Sequence, residues 1–263
     1  MDDREVGRMW DENAEAWTQL ARAGYDVYRD RVNTPAFFAM LPDVSGLAGL
    51  DIGCGEGHNT QLLAGRGAQM TAVDISKTFL RHARESERQT SLGIRYENAS
   101  ALELPFADTS FDFATSFMCL MDAAEPEHAI REAYRVVKPG GFFQFSITHP
   151  CFQTRLWRWV FDEKGERLGV VCGKYFDHKG EWVEEWMFGA APEELKKKFG
   201  KFRIPTFQRT LTQWVNALLE TGFQIERVAE PHADKKTAAD CTAVADTRLV
   251  GYFLIVRCRK GSG

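Results

Sequence analysis

The stretch "GLDIGCGEGHNT" (Gly49 to Thr60) puts glycines at alternate positions, Gly53, Gly55 and Gly57, with the acid Asp51 two residues before the first. An apolar run followed by such a turn and a helical pattern brings backbone N–H groups to the end of a strand. Glycine there lets a ligand approach without a Cβ in the way. Two features argue about the ligand. The dinucleotide pattern G-x-G-x-x-G needs its third glycine at the position of His58. The carboxylate of Asp51 would also meet a pyrophosphate with like charge, which disfavours a nicotinamide dinucleotide and suits a ligand bearing a cation. The next apolar run ends in Asp74, placed to accept hydrogen bonds from a ribose diol. A nucleoside with a positive charge near the first turn satisfies both acids. S-adenosylmethionine has the ribose, a sulfonium and an α-amino group.

Other residues could do chemistry at the acceptor side. His149 in "SITHPCF" follows the fifth apolar run. Its imidazole can take a proton near neutral pH; the same residue can instead order the turn before Pro150 or line the pocket. Cys151 reads as a small buried residue. Four of the seven tryptophans fall between residues 150 and 209. If "RLWRWVF" is a strand, Trp157, Trp159 and Phe161 share a face; "EWVEEWMF" does the same for Trp182, Glu184, Trp186 and Phe188. Such stripes line a pocket or simply pack, and Glu184 or Glu185 could assist an amine. With Tyr28 from the N-terminal segment, Trp157, Trp159, Trp182 and Trp186 are the expected substrate-facing residues. The six histidines do not pair with cysteines or acids at ligand spacing, so no metal is expected.

These residues need a scaffold. Residues 1–46 read as a helical lead-in, with Trp17, Leu20, Ala21, Gly24 and Tyr28 at helical spacing, expected as a lid or a cover for the sheet. From 47 to 149 strands ("GLDIG", "AQMTAVDI", "IRYENAS", "FDFATSFMCL", "FFQFSIT") alternate with helices ("GHNTQLLAGRG", "SKTFLRHARESERQ", "PEHAIREAYRVVKPGG"), the last ended by Pro139 and Gly140. Residues 150–209 break the pattern and read as one or two hairpins and a short helix, an inserted substrate cap; "YFDHKGEW" is a hairpin signal. Residues 210–260 return to the core, with a helix stopped by Gly222 and strands "FQIERVAE" and "RLVGYFLIVRCR", the second pairing antiparallel at the sheet edge.

In this order, "LDIGCGEG", "VDIS", "NASALELPFADTSFDFA" and "EAYRVVKPGGFF" resemble the successive motifs of the class I S-adenosylmethionine-dependent methyltransferases, specifically the type 11 group, over about residues 46–148. The resemblance implies a doubly wound α/β fold with a mostly parallel, Rossmann-like seven-stranded sheet. It implies S-adenosylmethionine as cofactor and S-adenosylhomocysteine as product. The implied cofactor-binding residues are Asp51, Gly53, Cys54, Gly55, Asp74, Ile75, Ser100, Ala101, Leu102 and Phe117. Ser100 departs from the acid many members carry there; the backbone of Ala101 and Leu102 is expected to complete adenine recognition. Phe117 lies beside the methionine part of the cofactor or in the core.

With 263 residues, 44% apolar, the chain can bury a sizeable core. The net charge of −4 argues against a nucleic-acid grip, and the basic run "ELKKKFGKFR" reads as a solvated helix face. No apolar stretch is long enough for a membrane span, and the N-terminus is too acidic for a secretory signal. The six cysteines form no CxxC pair, so the expected compartment is the reducing cytoplasm. The expected function is methyl transfer to a small-molecule acceptor by in-line displacement, with His149 as base where a proton must leave. An RNA or protein methyltransferase and a cofactor-binding module without turnover are the alternatives.

Overall fold

A computed structural model describes residues 1–177 and 182–262. The lead-in is α1 (Asp3–Arg22), a π-helical turn (Arg29–Asn33) and α2 (Thr34–Met40). Asp2 caps α1 through the Glu5 N–H, and the helix stops before Gly24. Tyr25 and Tyr28 therefore lie beyond α1, although the apolar spacing runs through them. The alternating core follows: β1 (Ala48–Ile52), α3 (His58–Ala64), β2 (Gln69–Asp74), α4 (Lys77–Thr90), β3 (Arg95–Asn98), β4 (Phe111–Phe117), α5 (Pro126–Val136) and β5 (Val137–Thr148). Ser76 caps α4 by accepting from the Phe79 N–H. α5 ends at Val136, not at Pro139 and Gly140. Those two residues sit inside the first stretch of β5, where the strand register shifts against β4.

The cap consists of β6 (Leu156–Phe161), β7 (Arg167–Gly173), β8 (Trp182–Trp186), α6 (Glu193–Phe199) and β9 (Phe202–Thr206). β6 pairs with β7 and β8 with β9, both antiparallel. β7 carries two glycines and β9 carries Pro205, which weaken the strand signal of each in the sequence. The hairpin expected at "YFDHKGEW" centres on residues 178–181, outside the described residues. α7 (Leu211–Thr221), β10 (Phe223–Ala229), α8 (Lys235–Asp240), a 3-10 segment (Thr242–Arg248) and β11 (Phe253–Lys260) complete the chain. Thr210 and Gln213 form a reciprocal cap on α7, and Gly222 ends it in the left-handed region.

These elements form a doubly wound α/β fold around a seven-stranded, mostly parallel sheet in the order β10-β11-β5-β4-β1-β2-β3. β11 runs antiparallel to both β5 and β10, so it is interior and β10 is the edge. This corrects the expected edge position of the last strand: Leu254, Ile255 and Val256 alternate between two covered faces and need an interior site. One face buries Leu50, Ile52, Phe143 and Phe145 against Ile130, Trp214 and Leu218; the other buries Met70, Ala72 and Phe113 against Phe37 and Leu80. The chain leaves β1 toward β2 and β3 on one side and reaches β4 and β5 on the other, so the strand order reverses beside β1. Among the described residues no helix is long and apolar enough to cross a membrane.

α1 joins core to cap. Asp11 accepts from the Ser76 hydroxyl and the Thr78 N–H, each at 2.8 Å. Asn13 exchanges hydrogen bonds with the Arg203 backbone of β9, at 2.9 and 3.2 Å. Trp17 stacks among Trp186, Phe188 and Phe202 at centroid distances of 5.5, 4.8 and 4.9 Å. Trp17→Ala is expected to cost about 3 kcal/mol by leaving a cavity in this cluster. A lowered denaturation midpoint together with faster proteolysis within α1 would register it; an unchanged midpoint would mean α1 is not anchored this way.

Candidate functional site

The turn after β1 is built from left-handed backbone, with φ of +74° at Gly53, +54° at Gly55 and +88° at Gly57. A Cβ on Gly53 would lie 2.1 Å from Cys119 Sγ, and one on Gly57 2.6 Å from the Tyr96 hydroxyl. Those two glycines permit packing, and Gly57 supplies the close helix approach that the dinucleotide pattern assigns to a later glycine. A Cβ on Gly55 would meet nothing within 4 Å. The bare backbone thus sits in the middle of the turn. The Gly53 and Cys54 N–H groups donate to the Val73 carbonyl at 2.9 and 3.0 Å, tying the turn to β2.

Asp74, at the end of β2, accepts from the Gly55 and Ser76 N–H groups, each at 2.8 Å. Burial pushes its carboxyl up to about 6, opposed by these two N–H bonds and assisted by the charges of Asp51 and Asp11. Asp51 is 2% exposed, and its two oxygens accept from the Thr60 hydroxyl at 2.5 Å and the Thr115 hydroxyl at 2.9 Å. Burial pushes its carboxyl up as well. It therefore lies beneath the turn with both oxygens held by hydroxyls. The buried Cys54 thiol is pushed well up and stays protonated.

Ile75 is covered by α1: a Cβ on Gly7 would come 2.9 Å from its Cγ1. Ser100 Oγ accepts from the Leu102 N–H at 2.9 Å and closes a tight turn with Glu103. Of the backbone groups expected at the adenine, the Leu102 N–H is engaged within this turn. The side chains of Ala101 and Leu102 pack on the core. Phe117 ends β4 and meets Phe37 edge to face at 5.3 Å, with part of its surface open.

The expected acceptor-side residues are placed differently. His149 is 3% exposed. Its Nδ1 accepts from the Cys151 N–H at 3.2 Å, so Nε2 carries the proton and donates to Glu230 at 2.7 Å. With both nitrogens engaged, His149 has no lone pair for an acceptor's proton. It fastens the end of β5 to the segment after β10, as its ring packing on Phe152 also indicates. The Tyr28 hydroxyl donates to Asp246, which also receives Tyr252 at 3.2 Å and Arg167 at 2.8 Å. Tyr28 is thus a tie between lead-in, cap and the β10–β11 connection. Trp186 belongs to the Trp17 packing cluster. Trp157 and Trp159 meet edge to face at 5.3 Å, and Arg167 stacks on Trp159 at 4.4 Å. Arg155 stacks on Trp182 at 4.7 Å. The tryptophans form no single wall; they divide among two hairpins and α1.

Three features escaped the sequence reading. Glu56, inside the glycine turn and 7% exposed, pairs with Arg29 at 3.1 Å and Arg22 at 3.7 Å, so the lead-in is clamped to the turn. Met118 adopts φ +53° directly after β4, a conformation uncommon for a non-glycine residue, and swings Cys119 beneath Gly53. Asp122, three residues past Cys119, is buried. The acid in "GCGEG" was a visible signal for the first; for the others no local pattern exists.

A nucleoside bearing a cation fits this donor set. Gly55 is open to close approach, and Asp74 keeps unused lone pairs on oxygens that each take one N–H. Among the described residues neither Asp51 nor Asp74 has an ion pair within the protein.

A family model for the methyltransferase domain matches residues 50–145. The malonyl-[acyl-carrier protein] O-methyltransferase of Pectobacterium atrosepticum is 32% identical over 124 residues, 46% of this chain and 47% of that protein. The demethylmenaquinone methyltransferase of Thermobifida fusca is 33% identical over 141 residues, 53% of this chain and 59% of that protein. The chain thus spans about half the length of the curated relatives it matches. Among solved structures, an S-adenosylmethionine-dependent methyltransferase from Mesorhizobium loti superposes with a TM-score of 0.70 at 29% identity, covering 86% of this chain and 96% of that one. The glycine turn, the acid ending β2, the antiparallel β11 and these likenesses agree: residues 50–145 match the methyltransferase-domain family, in a chain with the fold of the class I S-adenosylmethionine-dependent methyltransferases.

Proposed function

We propose that this protein transfers the methyl group of S-adenosylmethionine to a small organic acceptor by in-line displacement. The observation that carries the reading is the bare, left-handed Gly55 beside Asp74 and above Asp51, two carboxylates with no ion pair among the described residues. S-adenosylmethionine supplies a methyl already activated by a sulfonium, open to attack by an acceptor lone pair. The protein's part is to hold and align. Asp74 accepts the ribose hydroxyls, and Gly55 admits the ligand to the backbone. The buried negative charge of Asp51 favours a cation above the turn. α1, clamped through Glu56 and joined to β9 through Asn13, closes the site with the cap and keeps water out.

A small acceptor is supported by that closure and by the charge distribution. Lys196 pairs with Glu193 at 2.8 Å and Lys201 with Glu185 at 3.5 Å, so two cations of the 194–203 run are neutralised in place. The two curated relatives carry unlike acceptors in their names, a malonyl-[acyl-carrier protein] and demethylmenaquinone. Likeness therefore points to the reaction and not to the acceptor. Incubation with methyl-labelled S-adenosylmethionine and fractionated cell extract is expected to label the low-mass fraction. Label in RNA or protein would overturn the small-molecule reading; S-adenosylhomocysteine binding with no label anywhere would mean a module without turnover.

Asp74 sets a pH dependence. Its carboxyl is raised by burial, so ionisation is costly in the folded protein: stability contributed by the protonated form is present below about pH 4 and lost as pH rises through about 6. Ribose binding needs the ionised form, so affinity moves the opposite way. S-adenosylhomocysteine should bind roughly tenfold more weakly at pH 5 than at pH 7. Calorimetry across this range on wild type and Asp74→Asn checks it: the variant should bind more weakly throughout and lose the pH dependence. A flat wild-type profile would remove Asp74 from the ribose.

His149→Ala tests the corrected role. Removing both its hydrogen bonds should cost about 1–3 kcal/mol of stability and leave the shape of the pH–rate profile unchanged. Loss of the profile's acidic limb at undiminished stability would restore His149 as a base.

A further inference from the structure

The hairpin β6–β7 stands apart from the rest of the cap. Neither strand contains a buried residue, and no side chain of either joins the buried apolar clusters. Strands β8 and β9, by contrast, place Trp186 and Phe202 in the cluster around Trp17. A two-stranded hairpin is marginal by itself, so polar ties must hold this one. At its root the Cys172 thiol donates to the Phe152 carbonyl at 3.3 Å. Just past β7 the Gln208 side chain donates to the Lys174 and Tyr175 carbonyls at 3.2 and 3.0 Å. Near the tip, Arg167 donates to Asp246 at 2.8 Å. Among the described residues this is the only hydrogen bond or ion pair that joins residues 157–171 to the rest of the protein.

That single tie sits at the mouth of the site. Asp246 also accepts from Tyr28 and Tyr252, and both tyrosines pack with Met118, the residue after β4. The Tyr252 carbonyl accepts from the His149 N–H, just past β5, at 2.8 Å. The tip is thus clipped at the carboxyl ends of β4 and β5, where open sheets of this kind bind ligands. The register sets Trp157 opposite Cys172, Trp159 opposite Val170 and Phe161 opposite Arg167. Trp157 and Trp159 therefore share the face from which Arg167 reaches the core, and Arg167 stacks on Trp159.

The tie is suited to parting. The Asp246 side chain is 6% exposed, but that of Arg167 is 47% exposed. When Arg167 leaves, water solvates its guanidinium and Asp246 keeps the two tyrosine hydroxyls. The closed position also carries a cost. Trp157 Nε1 is buried with no acceptor among the described residues, and a buried donor left unpaired disfavours the state that buries it. We propose that β6–β7 is a flap, hinged at its root and latched by Arg167 on Asp246, that opens at the carboxyl ends of β4 and β5 to admit the methyl acceptor and release the methylated product. The assignment to acceptor entry rests on the methyltransferase reading; the movement itself does not.

Hydrogen–deuterium exchange and peroxide oxidation, both read by mass spectrometry on the full chain, test this. Arg167→Ala should speed exchange of the hairpin amides 157–160 and 169–172 by at least roughly tenfold, the scale of a hydrogen bond to a charged group, with the amides of β1 and β4 unchanged. Arg167→Lys keeps the charge and loses the planar stack, and it should fall between. Oxidation of the half-buried Met118 to its sulfoxide should quicken in Arg167→Ala, because an open flap bares the end of β4. Unchanged hairpin exchange overturns the latch. Equal acceleration in β1 and β4 makes Arg167 a tie of the whole fold and overturns it too. A loosened hairpin with unchanged Met118 oxidation removes the flap from the site. S-adenosylhomocysteine is titrated calorimetrically into the same wild-type sample: failure to bind overturns the methyltransferase reading, and acceptor entry with it, while the exchange data still judge the movement.

Discussion

A left-handed backbone at Gly53, pressed against Cys119, is the constraint from which the rest of the site follows. The contact leaves no room for a Cβ, so the chain must turn sharply at the end of β1. The turn then delivers the Gly55 N–H to Asp74 and lays Gly57 against Tyr96 and Ala83, which seats α3 and α4. It also fixes where the chain can pass after β4. Met118 adopts its own left-handed conformation so that Cys119 can fill the space under Gly53. Two elements distant in sequence thus strain toward one another, and the product is a stretch of exposed backbone at the point where the strand order reverses.

Charge, more than apolar area, decides how the covering segments sit on this core. Glu56 receives Arg29 and Arg22 from the lead-in. Asp246 receives Tyr28 from the lead-in, Arg167 from the cap and Tyr252 from the start of β11. Each acid is almost wholly buried, and each would be costly without its partners. Lead-in, cap and the β10–β11 connection are therefore coupled: loosening one leaves a buried carboxylate exposed to the loss of its donors. Asp122 is the exception, a buried acid whose carboxyl has no hydrogen bond or ion pair among the described residues.

Much of the core was legible because its signals are local. A strand, three glycines, an acid at the end of the next strand and a helix cap at Ser76 all fall within a few residues of one another. The aromatic stripes were legible only as stripes. Trp186 and Trp182 share a face on β8, yet Trp186 enters the Trp17 cluster while Trp182 takes an arginine. His149 shows the same limit: its position at the end of β5 is that of an acceptor-side residue, but Glu230 and the Cys151 N–H, one of them far along the chain, occupy its ring. The Ser100 turn differs only in scale, since Ser100 accepts from the Leu102 N–H two residues on.

By itself, the sequence determined the alternation of strands and helices, the glycine turn and the acids at the ends of the first two strands, because periodicity, capping and turn chemistry act over a few residues. Only the tertiary structure decided that β11 lies inside the sheet, that His149 and Tyr28 are ties, and that Arg22 and Arg29 of the lead-in meet Glu56 of the glycine turn. Those outcomes depend on which distant groups arrive at the same buried place. Burial makes each hydrogen bond and charge strong enough to assign a role, and no short stretch of residues carries that information.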